Sequence, residues 1–143
     1  MAGMFSTKGQ YALRAMADLA KHQGGWVSLG DVAKRQNISR KYLEQVISLM
    51  SKAGFVESQR GKGGGYRLAR PAEEINVLDV LTLMEGTMVP VACLQPGSDA
   101  CPRAASCRTI PIWEGLEKTI SEYLSAYTVK DLMCPDTEAE ETP

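Results

Sequence analysis

A basic turn filled with glycine sits between two short strand-like segments, Phe55 to Gln59 and Tyr66 to Ala69, and constrains the chain more than any other feature. It reads Arg60-Gly61-Lys62-Gly63-Gly64-Gly65-Tyr66-Arg67, with four glycines among the five residues 61–65. Glycine permits a tight hairpin and lets another backbone run close by. The cations Arg60, Lys62 and Arg67 favour a phosphate-lined groove. Because the turn follows an apolar pattern at helical spacing, it is written as the wing of a winged helix-turn-helix would be. Double-stranded DNA is the first expected partner.

The preceding pattern supplies the helices. Thr7 to Gln23 carries Tyr11, Ala12, Met16, Leu19 and Ala20 at helical spacing and stops at Gly24-Gly25. A short link through Trp26 and Val27 follows. Ser28, with Asp31 three residues on, opens a second helix that runs to about Arg35, and Asn37-Ile38 forms a turn. Ser39 is the next expected N-cap, and Leu43, Val46, Ile47 and Met50 form one apolar stripe until Gly54. Two helices joined by a tight turn make a helix-turn-helix. The opposite face of the later helix carries Arg40, Lys41, Glu44, Gln45, Ser48 and Lys52. Arg and Lys pair with guanine edges, Gln with adenine and Glu with the cytosine amino group. A solvated helix face would have the same composition, but it would not require the wing beside it.

Charge separates along the chain. Residues 1–70 hold twelve Lys or Arg against four Asp or Glu, net +8, whereas residues 71–143 hold four against thirteen, net -9. Phosphate binding therefore belongs to the first half, and the second is expected to serve pairing, sensing or partner contacts. Ile75 to Gly86 has the pattern of another amphipathic helix, and the stretch Thr87 to Arg108 reads as a long loop. From Ile110 to Tyr127, Trp113, Leu116, Ile120, Tyr123, Leu124 and Tyr127 recur on one long helix suited to dimerisation. Thr128 to Met133 adds a short terminal helix. The expected fold is mainly α with a small β-hairpin wing. It divides into a winged helix-turn-helix over 4–86, a sensor loop over 87–109, a dimerisation helix and terminal helix over 110–133, and an acidic disordered tail over 134–143.

Within the loop the spacing is Cys93-x7-Cys101-x5-Cys107, with Cys134 farther on. Thiolates bind soft metals, and three from one loop can hold three corners of an iron-sulfur cluster, of 2Fe-2S or 4Fe-4S type. Zinc, which more often draws on paired C-x2-C spacings, comes second. Thiol redox sensing beside Arg103 and Arg108 is a third use. No apolar run approaches the roughly 18 to 20 residues of a membrane span, and Met1 to Gln10 lacks a signal peptide's apolar region, so a cytoplasmic setting is expected. Enzyme chemistry fits poorly. The glycine run lacks the Gly-Lys-Ser/Thr ending of a P-loop, no G-x-S-x-G occurs, and His22 is the only histidine.

Four segments together resemble the Rrf-two family of bacterial winged-helix transcription regulators, which includes IscR, NsrR and CymR. They are Ser6-Thr7-Lys8-Gly9-Gln10-Tyr11-Ala12, Ser39-Arg40-Lys41-Tyr42-Leu43-Glu44-Gln45, the wing Arg60 to Tyr66, and the cysteine loop followed by Trp113. The resemblance covers residues 4 to about 133 and implies a homodimeric regulator, usually a repressor, acting on a palindromic operator. It assigns Tyr42, Glu44 and Gln45 to the recognition helix, Arg60 to the minor groove, and Cys93, Cys101 and Cys107 to a cluster. With the neighbouring helix and wing positions, the expected DNA-binding set is Ser39, Arg40, Lys41, Tyr42, Glu44, Gln45, Arg60, Lys62 and Gly64. The chain also departs from the pattern. Ile110 stands where IscR-like members carry a histidine, Gln10 stands where NsrR-like members can supply an acid, and the first cysteine spacing is longer. The fourth ligand stays open among Cys134, Gln10 of a partner subunit, and water or a small molecule, while His22, at the end of the first helix, reads as a surface or capping residue. In the alternative reading a partner enzyme or a small molecule controls the regulator and no cluster is bound.

Overall fold

Three serines set where the first three helices begin. In the computed structural model, which describes residues 4–94 and 106–133, α1 spans Thr7–Lys21, α2 Leu29–Gln36 and α3 Arg40–Lys52. The hydroxyls of Ser6, Ser28 and Ser39 accept the backbone N–H groups of Gly9, Asp31 and Tyr42 at 3.0, 3.1 and 3.1 Å. Each satisfies a donor that a helix start leaves without a partner. Asn37, with a left-handed φ of 55°, ends α2 and makes the turn into α3. Helix α1 closes at His22, one residue short of the expected Gln23.

Strands β1 (Val56–Gln59) and β2 (Gly65–Leu68) pair antiparallel, with Glu57 opposite Arg67 and Gln59 opposite Gly65. The hairpin is not alone. Val27, which the sequence places in a link, exchanges two backbone hydrogen bonds with Tyr66, at 2.9 and 2.8 Å, and adds a third extended segment to the wing's base. A single bridge of this kind has no periodicity to betray it.

Helix α4 spans Val77–Glu85, shorter than the expected 75–86, because the Asn76 side chain caps it by accepting Leu78 N–H at 2.8 Å. Gly86 follows with φ 83°. A 3₁₀ turn, Ala92–Leu94, lies in the expected loop, and α5 spans Ile110–Ser125. The expected terminal helix is a 3₁₀ turn, Val129–Leu132. It returns to the entry of α4: Val129 N–H donates to Ile75 and Val77 N–H to Tyr127, at 2.9 and 3.0 Å. Val129 is fully buried in the same core as Met16, Leu43, Ile47, Met50 and Val80. No described helix is long and apolar enough to cross a membrane.

Candidate nucleic-acid interface

Helix α3 turns Leu43, Val46, Ile47 and Met50 into the core. Its 3.6-residue period leaves Arg40, Lys41, Glu44, Gln45, Ser48 and Lys52 exposed together with the capping residue Ser39. Arg40 and Glu44 lie one turn apart, 3.8 Å between Nε and Oε2, both largely in solvent. A pair this exposed holds its members weakly and leaves both free to engage a groove. Tyr42 differs from its neighbours. It is half-buried, its ring meeting Tyr11 of α1 edge-on with centroids 5.4 Å apart. Tyr11, counted by periodicity among the apolar residues of the first helix, thus faces α3 as well as the core.

The wing separates its cations by task. Arg67 Nε donates to Glu57 at 2.7 Å across the hairpin, and its guanidinium lies 4.1 Å from the centroid of the Trp26 ring. This cation is committed to the wing's base. Arg60 and Lys62 are exposed and form no ion pair among the described residues. Gly64 has an internal reason to be glycine, since a Cβ there would collide with the Gln59 carbonyl, and at Gly65, φ 149°, it would strike the Val27 carbonyl. The close approach foreseen for the glycines is therefore made first to the chain's own backbone. The role of Trp26 is not legible in the sequence, where its local signal is an aromatic residue lying just before the second helix.

Cys93 is exposed in the 3₁₀ turn, and Cys107 is half-buried three residues before α5; both are free thiols. Cys107 Sγ lies 3.2 Å from Thr109 Oγ1. Hydrogen bonds from the Thr109 side chain, then from the backbone N–H groups of Thr109 and Ile110, hold this thiol below its ordinary pKa. Such donors stabilise a thiolate, the form that binds soft metals. Cys101, Arg103, Cys134 and the acidic tail lie outside the described residues. Among those described, no group of three or more His, Cys, Asp or Glu side chains could hold a metal ion. Ile110 is the first residue of α5, and Gln10 is exposed on α1, its amide 3.4 Å from the Phe5 carbonyl. His22 Nδ1 lies 2.8 Å from the Asp18 carbonyl at the end of α1, as expected of a capping residue.

Known proteins share this arrangement. The Rrf2 family, described as "Iron-dependent Transcriptional regulator", matches residues 5–135. Protein rrf2 of Nitratidesulfovibrio vulgaris is 39% identical over 144 residues, covering 96% of this chain and 95% of its own. CymR, the global cysteine regulator of B. subtilis, superposes with a TM-score of 0.74 at 35% identity, covering 93% of this chain and 97% of the other. T. potens IscR gives the same TM-score at 38% identity, with 97% and 90% covered. With a winged helix-turn-helix, an exposed polar face on α3 and likeness along nearly its whole length, the chain belongs to the Rrf2 family and is a DNA-binding transcription regulator, not an enzyme.

Proposed function

We propose that the protein is a homodimeric repressor that reads a palindromic operator with two copies of α3 and two wings. The observation that carries this is the exposed polar face of α3 standing next to a wing whose Arg60 and Lys62 have no internal ion-pair partner among the described residues. In this reading Arg40, Lys41, Glu44 and Gln45 meet base edges or phosphates in the major groove, with Ser39 and Tyr42 at the start of the helix. Arg60 enters the minor groove, while Lys62 and Gly64 approach the backbone. Residues 4–86 serve DNA binding and 110–133 dimerisation. Helix α5 supports the second assignment because it buries none of its residues, with Ile112 64% and Tyr123 62% exposed. An apolar stripe that exposed calls for a second copy. Replacing Tyr123 and Leu116 by Glu should yield a folded monomer by light scattering, and a persistent dimer would refute the pairing. Replacing Arg60 by Ala should weaken operator binding and relax preference in the flanking minor groove, whereas Lys62→Ala should lower affinity evenly across sequences.

The loop 87–109 is the sensor. Cys93, Cys101 and Cys107 would hold an iron-sulfur cluster, a reading supported by the lowered Cys107 pKa and by the family's iron-dependent description. Bound there, a cluster would supply a redox-active, dissociable link. Cys107 stands three residues before α5 and contacts its N-cap residue Thr109, so a change in what its thiolate binds reaches the root of the helix that spaces the two wings. Anaerobic purification followed by iron, sulfide and visible absorbance measurement tests this, and an iron-free, colourless protein overturns it. In the second reading a partner protein or small molecule controls the regulator without a cluster, the partner docking on the acidic second half, net -9 over residues 71–143. Triple Cys-to-Ser replacement with unchanged regulation in cells would support it.

A further inference from the structure

Helix α1 lies outside the helix-turn-helix, yet three of its residues on one face, Tyr11, Arg14 and Asp18, engage both helices of the motif at their junction. Arg14 donates from its guanidinium to the backbone carbonyl of Gln36, the last residue of α2, and from Nε to the Gln36 side-chain oxygen at 3.3 Å. That carbonyl is among those a helix end leaves without an intrahelical partner, and a cation there also complements the helix dipole. The same guanidinium sits 5.3 Å from the centroid of the Tyr11 ring. Tyr11 in turn meets the edge of Tyr42, the third residue of α3, at an interplanar angle of 70°. Arg14, Tyr11 and Tyr42 thus form a contiguous relay from the end of α2 to the first turn of α3, the turn from which a recognition helix reaches base edges. Arg14 is exposed and Tyr11 half-exposed, so the relay adds little to the core.

We propose that Tyr11 and Arg14 are positioning residues for sequence readout: they fix the direction of Tyr42 and the entry angle of α3, and so set discrimination between operator and other DNA. This rests on the reading of α3 as the recognition helix. The relay uses the face of the Tyr11 ring and needs neither tyrosine's hydroxyl nor a phosphate.

The test uses the full chain and the duplex it enriches from a randomised DNA pool, compared with a scrambled duplex of equal length and composition. Tyr11→Ala and Arg14→Lys should each lower the ratio of specific to non-specific affinity by roughly three- to tenfold. The salt dependence on scrambled DNA should be unchanged. Tyr11→Phe should keep the wild-type ratio. Two outcomes overturn the proposal: an unchanged ratio in Tyr11→Ala and Arg14→Lys, or a Tyr11→Phe protein that loses affinity for the enriched and scrambled duplexes alike, which would make the Tyr11 hydroxyl a phosphate contact. Arg14→Lys retains charge and disturbs no buried residue, so it reports even if Tyr11→Ala folds poorly. Failure of the underlying reading is separately visible. If Lys41→Ala and Gln45→Ala enrich the same sequence as the intact chain, α3 is not the reader. If they change it while the Tyr11 and Arg14 variants do not alter the ratio, only the relay is wrong.

Discussion

The Asp18 carboxylate, 3% exposed, is held by both arms of the Arg35 guanidinium, Nη2 to Oδ1 at 2.7 Å and Nε to Oδ2 at 3.0 Å. Gln36 adds a third donor at 3.0 Å. A buried charge is tolerated only when paired and hydrogen-bonded, and here the pairing fastens the end of α2 to α1. Removing one partner is not symmetrical with removing the other. Asp18→Ala leaves Arg35, whose side chain is 39% exposed, able to turn to water, whereas Arg35→Ala leaves a carboxylate buried with one amide donor. Urea unfolding at neutral pH should show a loss of about 2 kcal/mol for Asp18→Ala and about 3 kcal/mol for Arg35→Ala. The reverse order would contradict this account.

The same pair predicts a pH dependence. Burial works to raise the Asp18 pKa, but hydrogen bonds from Arg35 and Gln36, with the charges of Arg35 and His22, outweigh it and hold the carboxyl below its usual range. With the folded pKa depressed, the stabilisation is fully present above the unfolded value of about 4 and is lost as pH falls through the folded pKa. Below pH ~4 the urea midpoint of the wild-type protein should fall more steeply than that of Asp18→Asn. Parallel curves would exclude Asp18 as the titrating group.

The wing glycines should divide into two classes. Gly61 and Gly63 adopt φ 97° and 80° with open space where a Cβ would stand, so alanine there should cost about 1 kcal/mol of backbone strain each. At Gly64 and Gly65 a Cβ meets the carbonyls of Gln59 and Val27, and the hairpin has to move. Their alanine variants should lose the protection of the Val27 and Tyr66 amides in hydrogen exchange. Equal protection in all four variants would mean that the wing's backbone is more yielding than its contacts imply.

Val129 ties the end of α5 to the core. It is fully buried, and its N–H donates to Ile75 at 2.9 Å beside the Asn76–Thr128 bridge. Val129→Ala should cost about 2 kcal/mol by the lost burial and the cavity left. It should also speed amide exchange at Val77 and Val129 more than at Leu43 or Val46. Uniform acceleration would show instead that the tether opens only with the whole fold.

Much of the architecture is legible in the sequence. Ser28 and Ser39 each precede an apolar helical pattern, and each caps the helix it announces, whereas the Ser6 cap of α1 emerges only from the structure. The face of α3 followed from the spacing of Leu43, Val46, Ile47 and Met50 alone. Less visible was the company that Tyr42 and Arg67 keep, because Tyr11 and Trp26 lie 31 and 41 residues from them along the chain. Spacing says which way a side chain leaves its own element and nothing about what it meets.

The sequence by itself determined the local grammar: the caps, the turn at Asn37, the glycine hairpin, and the polarity between a basic first half and an acidic second. These are properties of a few neighbouring residues, set by backbone geometry and hydrogen-bonding capacity. Only the tertiary structure decided that Val27 widens the wing, that Val129 returns to the core, and that Asp18 and Arg14 brace the helix-turn-helix from α1. Each joins groups distant in the chain, and each depends on how the packed helices orient one another, a geometry no window of sequence contains.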